Sequence, residues 1–439
     1  MTGSVLSTGQ AASILFGLFF VLLILRVPVA FSLALACLPL LLIEPRLSSS
    51  MLLQETFNAY NSFILLAVPF FLLTANLMNT GGITQRLMRL SRSMVGHFPG
   101  SLAQINVVLS FFFAGISGSS TADAASQSKL FIEAQRREGY DDGFSVAITA
   151  VSSVLAVIIP PSILMVIWGG TLTTSIGALF LAGIIPGALI AGAQMATVHA
   201  YAKIRGYPTY ERASWGELGK GLWVSAPALM TPLIIIGGKV FGWFTATESA
   251  CIAVLYATFL SILIYREMSW KGFYGALVDT GRFSSVALFC VGTATAFGWL
   301  MAYYKMPEAI LSGVSTWGLG VTGMGFLVAG VFLVVGCFLD AIPAIIIVGS
   351  ILQPLTQAAG MDPVHFAMIG IVSLAFGLVT PPYGLCLLIA CSMANMRLFD
   401  VLRDVLIMLM PMFVVLILII LWPKVVLFLP GLISPEFLR

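Results

Sequence analysis

The sequence predicts an all-α polytopic membrane protein with about 10–11 transmembrane helices plus two re-entrant hairpins in an inverted repeat. Three observations carry that reading. Composition is the first: 59% of the 439 residues are hydrophobic and only 9% charged, where a soluble domain has roughly a quarter charged. An internal echo is the second. Gly115, in the polar island AGISGSSTADAA (Ala114 to Ala125), stands 45 residues before Pro160-Pro161, and Gly336 stands 45 before Pro381-Pro382, with 221 residues between the copies. Interrupted apolar segments at matching positions of two halves point to the binding site of a secondary transporter. The third is charge: with the N-terminus outside, 16 of the 21 Lys and Arg fall on the cytoplasmic side, and the opposite threading inverts the bias.

Composition also excludes. A net charge of +3 fits basic loops beside a lipid bilayer and gives no sign of nucleic acid. The six cysteines lie in apolar segments and read as small core residues rather than disulfides. The first apolar run has no small-residue cleavage site and reads as a retained helix.

The elements follow in order. Residues 5–25 and 27–43 form two helices divided at Arg26-Val27-Pro28, because proline resists continuing a helix and arginine seeks the interface. Residues 44–61 are amphipathic, and 62–78 form a third span ending at the turn Asn79-Thr80-Gly81-Gly82. Arg86, Arg89 and Arg92 then place a basic stripe opposite an apolar one on residues 83–94, as on a helix lying in the interface. Residues 102–128 hold no Lys or Arg except at their flanks, which are basic on both sides, so this segment enters and leaves by the cytoplasmic face. A span at 143–168 is broken at Pro160-Pro161, and further spans run at 176–200, 221–238, 243–265 and 283–303, with Trp243, Trp270 and Trp299 as interface anchors. The second hairpin, 324–358, should enter from outside, before a span at 365–393 broken at Thr380-Pro381-Pro382. A last span at 405–423 closes the membrane part. Residues 1–100 then read as scaffold and arm, 101–200 as a first transport repeat, 201–303 as central scaffold, 304–400 as the second repeat and 401–439 as a C-terminal helix. Labels at Ser91 and Thr356 should be accessible from opposite faces.

Two candidate sites result. One is the tip Gly115, Ser117, Gly118, Ser119, Ser120 and Thr121, facing the break at Pro160 and Pro161. Broken helices offer N-termini to anions and free carbonyls to cations, and hydroxyls suit a hard ion such as sodium. The alternative is a hairpin closed by small residues for packing. The other joins Gly336, Asp340 and Pro343 to Thr380, Pro381 and Pro382. Asp340 lies in an apolar run, where an acid costs about 2.5–3.5 kcal/mol on insertion scales, so it reads either as a functional acid or as a helix cap, and Asp123 invites the same pair of readings. Sodium is expected on Ser117, Ser119, Ser120, Thr380 and neighbouring carbonyls. No GxxxxGK[ST] and no HExxH are present, so no ATPase, metalloprotease or cofactor is expected and an ion gradient must supply the energy. The competing enzyme reading takes Gly115-Ile116-Ser117-Gly118 as the GxSG of an intramembrane serine protease, with His199 as its base. A channel fits less well, since the two hairpins enter from opposite faces.

LLAVPFFLLTANLMNTGGI (Leu65 to Ile83), AGISGSS (Ala114 to Ser120), IIPPSILM (Ile158 to Met165), GWFTATESA (Gly242 to Ala250) and GLVTPPYG (Gly377 to Gly384) resemble the large membrane subunit of TRAP transporters, the tripartite ATP-independent periplasmic family. The resemblance covers nearly the whole chain. It implies an elevator-type transporter of the ion transporter superfamily in a bacterial inner membrane, importing an organic acid with sodium. It further implies a periplasmic substrate-binding protein and a small membrane subunit, expected here as a separate polypeptide. FTAT at Phe244 to Thr247 departs from the usual FTPT, which puts the local helix start in question.

Overall fold

A computed structural model describes residues 5–438 except 49 and 316. Among them, seven helices are long and apolar enough to cross a membrane, or eight if the pair Asp142–Ile158 and Ile163–Thr171, bent by 42°, counts as one span. The shortfall from about 10–11 spans lies in helices that are apolar but short, such as the first two, of 17 and 15 residues.

The chain opens with α1 (Thr8–Ile24), α2 (Val29–Ile43), α3 (Ser50–Tyr60) and α4 (Ala67–Thr80). Pro28 is the N-cap of α2, as its fixed φ and missing N–H favour. α5 (Ile83–Val95) follows, then a first hairpin of α6 (Ser101–Ser117) and α7 (Ser120–Arg137), then a broken helix of α8 (Asp142–Ser153), α9 (Leu155–Ile158) and α10 (Ile163–Thr171), and the long α11 (Ile176–Arg205). α12 (Trp215–Val240), α13 (Ala246–Phe259) and α14 (Trp270–Tyr303) lead to the second half. That half comprises α15 (Met306–Ser315), a hairpin of α16 (Val321–Gly336), α17 (Ala341–Ala344) and α18 (Ser350–Ala358), a broken helix of α19 (Pro363–Gly377) and α20 (Leu385–Ala394), and finally α21 (Leu398–Leu421) and α22 (Lys424–Ile433).

Several boundaries differ from the sequence reading. The first hairpin runs on to Arg137, because α7 turns its polar residues Asp123, Gln127, Ser128 and Gln135 into the protein and continues past the apolar stretch. α14 begins at Trp270 instead of 283, since its charged first turns, with Asp279 and Arg282 3.8 Å apart, continue the helix beyond its apolar stretch. α15 and α22 are short helices to which the sequence reading assigns no span of their own. The departure at FTAT is harmless: Thr245 caps α13 through a reciprocal capping box with Glu248 and needs no proline.

Shifting α5 through α11 by 221 residues lands each element on its counterpart among α15 to α21. Residues 120–137 of α7 map onto 341–358, the span of α17 and α18, and α5 maps onto α15. The halves interlace: α20 packs on α7 and α8, while α10 packs on α17 and α19. Trp168 of α10, fully buried, fills the space between Phe332 of α16 and Phe366 of α19, with ring centroids 5.6 and 5.0 Å away. Truncating such a side chain costs about 3–5 kcal/mol. Buried polar side chains tie the first repeat internally. Asn106 donates to the Thr149 hydroxyl at 2.9 Å, and Ser110 donates to Gln127 at 2.7 Å. Such bonds contribute about 0.6 kcal/mol on average between helices in a membrane.

At the basic end, the segment after α11 straps three turns together. The Tyr210 N–H donates to the Gly96 carbonyl at 3.0 Å, Arg92 lies 4.6 Å from the Tyr210 ring, and the Tyr210 hydroxyl donates to Glu138. Close by, the Tyr207 hydroxyl and the Arg205 guanidinium hold the Asp141 carboxyl below the usual carboxylate range. α5 is amphipathic as its stripe predicts: Ile83, Leu87, Leu90 and Val95 are buried and Arg89 is exposed. Ser91 and Thr356 are 0% and 1% exposed, so neither can report sidedness; both lie on the inner stripe of their helices. The exposed neighbours Arg89 and Gln357 replace them. Cysteines at these two positions should react with an impermeant maleimide from opposite faces of oriented vesicles. Labelling of both from one face would refute the opposed hairpins.

Candidate functional site

Each hairpin meets its own broken helix through backbone. In the first, α6 ends at Gly118, whose φ of 62° lies in the left-handed region that glycine adopts without penalty. The Ile163 N–H donates to the Gly118 carbonyl at 3.3 Å. A Cβ at Gly118 would lie 2.8 Å from the Pro161 carbonyl oxygen, so no larger residue fits. In the second copy, a Cβ on Gly377 would sit 2.6 Å from the Gly336 carbonyl carbon.

Between the tips lies a cavity of about 490 Å³. Its polar wall is Ser119, Ser120 and Thr121 from the first tip and Asp340 from the second. The opposite wall is apolar and comes from Val29 of α2, Val68 and Leu72 of α4, and Phe283 and Val286 of α14. No Lys, Arg or His lines it. The two tips present different chemistry. α7 starts at Ser120 with no side-chain cap, so its first N–H groups are open toward the cavity, with Asp123 as the acid of its first turn. The N-terminus of α17 is already occupied, because the Asp340 carboxylate accepts from the Ala341 N–H at 2.8 Å. Asp340 is thus a cap and a cavity acid together.

Behind the first tip stands Asp123, 0% exposed, with neither carboxylate oxygen hydrogen-bonded. The buried hydroxyls of Ser117 and Ser120 also have no hydrogen-bond partner.

The predicted residues divide accordingly. Gly118, Ser119, Ser120, Thr121 and Asp340 line the cavity, and Ser117 lies behind it with Asp123. Pro160, Pro161, Pro381 and Pro382 form the two helix breaks, both Pro–Pro bonds being cis, and the first tip lies against Pro161. Thr380 donates its hydroxyl to the Phe376 carbonyl at 2.7 Å. Gly336 meets Gly377, Pro343 is buried in α17, and Gly115 faces Pro232 of α12, where an added Cβ would lie 3.2 Å away. The apolar wall was not foreseen, since Val68 or Phe283 carries no distinguishing mark in a chain this hydrophobic.

The protease geometry is absent. Val198 and Ala202 flank Gly100, which puts His199 at the start of α6, roughly 25 Å along the helix from Ser117 at 1.5 Å per residue. His365 is turned to the Ile419 carbonyl at 2.9 Å. Two interrupted hairpins closing on one cavity within a repeated helical frame define a polytopic membrane permease rather than an enzyme.

Comparison with known proteins identifies which. The family model described as "Tripartite ATP-independent periplasmic transporter, DctM component" matches residues 16–425, and the chain belongs to that family. The sialic acid TRAP transporter large permease protein SiaM of Vibrio cholerae is 37% identical over 94% of this chain and 96% of its own length. The C4-dicarboxylate large permease protein DctM of Pseudomonas aeruginosa is 34% identical over 90% of this chain and 92% of its own. The isethionate permease protein DctMQ of Oleidesulfovibrio alaskensis is 34% identical over 95% of this chain, which covers 66% of that protein.

Proposed function

We propose that this chain is the translocating subunit of a sodium-driven importer of an organic acid in a bacterial inner membrane. A periplasmic binding protein delivers the substrate, and a separate small membrane subunit completes the scaffold. The observation that carries the reading is the asymmetry of the tips around one cavity: a helix N-terminus without a side-chain cap and three hydroxyl residues on one side, the helix-capping Asp340 on the other. The substrate's anionic group sits at the start of α7. Sodium occupies the oxygens that lack partners, chiefly Asp123, Ser117 and Ser120, where it neutralises the buried carboxylate. Thr380 and the free carbonyls at the breaks serve the second copy.

Relatives are named for sialic acid, C4-dicarboxylates, isethionate and 2,3-diketo-L-gulonate, all organic anions. The interlaced hairpins and broken helices move as one body against α2, α4 and α14, with the two repeats inverted across the membrane, in an elevator motion. In this picture α5 is an arm holding the moving body. Sodium chloride should raise the melting temperature of the purified protein well above equimolar potassium chloride. Equal melting temperatures in the two salts would overturn the sodium assignment.

A further inference from the structure

A second cavity, of about 920 Å³, opens between α5, the segment after α11 and the start of α12, away from the transport site. Its walls carry Arg86, Arg89, Arg92, Arg212 and Lys220 against Glu211 and Glu217. Much of this charge is engaged. Arg86 pairs with Glu267 at 2.7 Å and lies 3.8 Å from the Tyr265 ring, Arg92 stacks on Tyr210, and Glu217 accepts the Ser214 N–H at 2.8 Å in the capping box of α12. Arg89, Arg212 and Lys220 are left exposed with no ion pair among the described residues, and only Glu211 stands near them as an uncommitted acid.

The rim is apolar. Trp215 and Trp223, in the first turns of the 26-residue α12, are each 82% exposed, and Leu222 between them is 54% exposed. Exposed tryptophans at the end of a membrane-length helix mark the headgroup level, which puts three unpaired cations at the depth of lipid phosphates. We propose that this cavity binds the phosphodiester of an anionic phospholipid. Arg89, Arg212 and Lys220 hold the phosphate, and the acyl chains lie along α12 past Val224. A free phosphate would meet the same cations without using that apolar edge. Because α5 and the Tyr210 segment form opposite walls, an occupied cavity fastens the amphipathic helix to the strap that also reaches Glu138.

The test uses the full-length protein as purified from membranes and stripped of lipid by detergent washing. Melting is measured with phosphatidylglycerol, with phosphatidylcholine and with inorganic phosphate, for the wild type and the triple variant Arg89→Gln, Arg212→Gln, Lys220→Gln. Phosphatidylglycerol is expected to raise the wild-type Tm several degrees more than phosphatidylcholine. The triple variant should lose that difference, and Arg89→Gln alone should lose about half. A control lacking two exposed cations elsewhere, Arg137→Gln with Arg282→Gln, should keep it in full. Retention of the whole difference by the triple variant overturns the site, as does its equal loss in the control. A matching rise with inorganic phosphate alone overturns the lipid assignment.

Discussion

Replacing Gly118 with alanine is expected to cut initial uptake rates by more than about 100-fold while the protein still inserts in the membrane. Three costs coincide at this residue. Its φ of 62° charges an L-residue about 1–2 kcal/mol. The added methyl would lie 2.8 Å from the Pro161 oxygen and 3.3 Å from the Ile163 nitrogen, both backbone atoms that cannot swing aside. Relieving that clash separates the partners of the bond from Ile163 to Gly118 and carries Ser119, Ser120 and Thr121 away from the cavity. Displacement of about 1 Å in a functional group can cost 10²-fold in rate. Gly139→Ala is the control, because Gly139 has a φ of 85° but nothing within 4 Å of its would-be Cβ, so it carries strain without collision. It should keep most of the activity. Gly118→Ala transporting within about twofold of the wild type would remove the tip from the mechanism.

Asp123→Asn is expected to raise the sodium concentration for half-maximal uptake at least tenfold, or to abolish uptake in a folded protein. The substitution keeps the shape and removes the charge. A charge-assisted contact is worth about 1.5–3 kcal/mol, and each 1.4 kcal/mol is tenfold in affinity. The two roles for this residue separate cleanly. A merely structural Asp123, buried with both oxygens unpartnered, would be relieved by neutralisation, so the variant would melt higher and its sodium dependence would not move. Asp340→Asn is gentler on the fold, since asparagine also caps helices and can accept from the Ala341 N–H.

What the sequence revealed of this site depended on contrast. Polar and proline residues stand out in a chain with 9% charge, so the tips at Ser119 and Asp340 and both Pro–Pro breaks could be read, and a spacing of 221 residues tied them together. The same contrast hid the rest. Val68, Leu72 and Phe283 line the cavity yet look like any lipid-facing residue, and only folding brings α4 and α14 opposite the tips. Lys271 and Arg282 suggested a loop where α14 runs straight through. Gly115 reads as part of the tip because it opens the polar island, but the helix continues two residues further and turns it toward Pro232. Asp123 was visible as an acid, while its lack of any partner is a property of the packed hairpin alone.

The central claim is that the oxygens at the two tips couple sodium to the movement of an organic anion. Its most direct test is uptake into proteoliposomes holding this chain, its small membrane subunit and the cognate binding protein loaded with its ligand. An inward sodium gradient should drive accumulation above the external concentration, and collapse of the gradient with a sodium ionophore should stop it. Accumulation that continues undiminished with sodium equal on both sides, or replaced by potassium, would contradict the account.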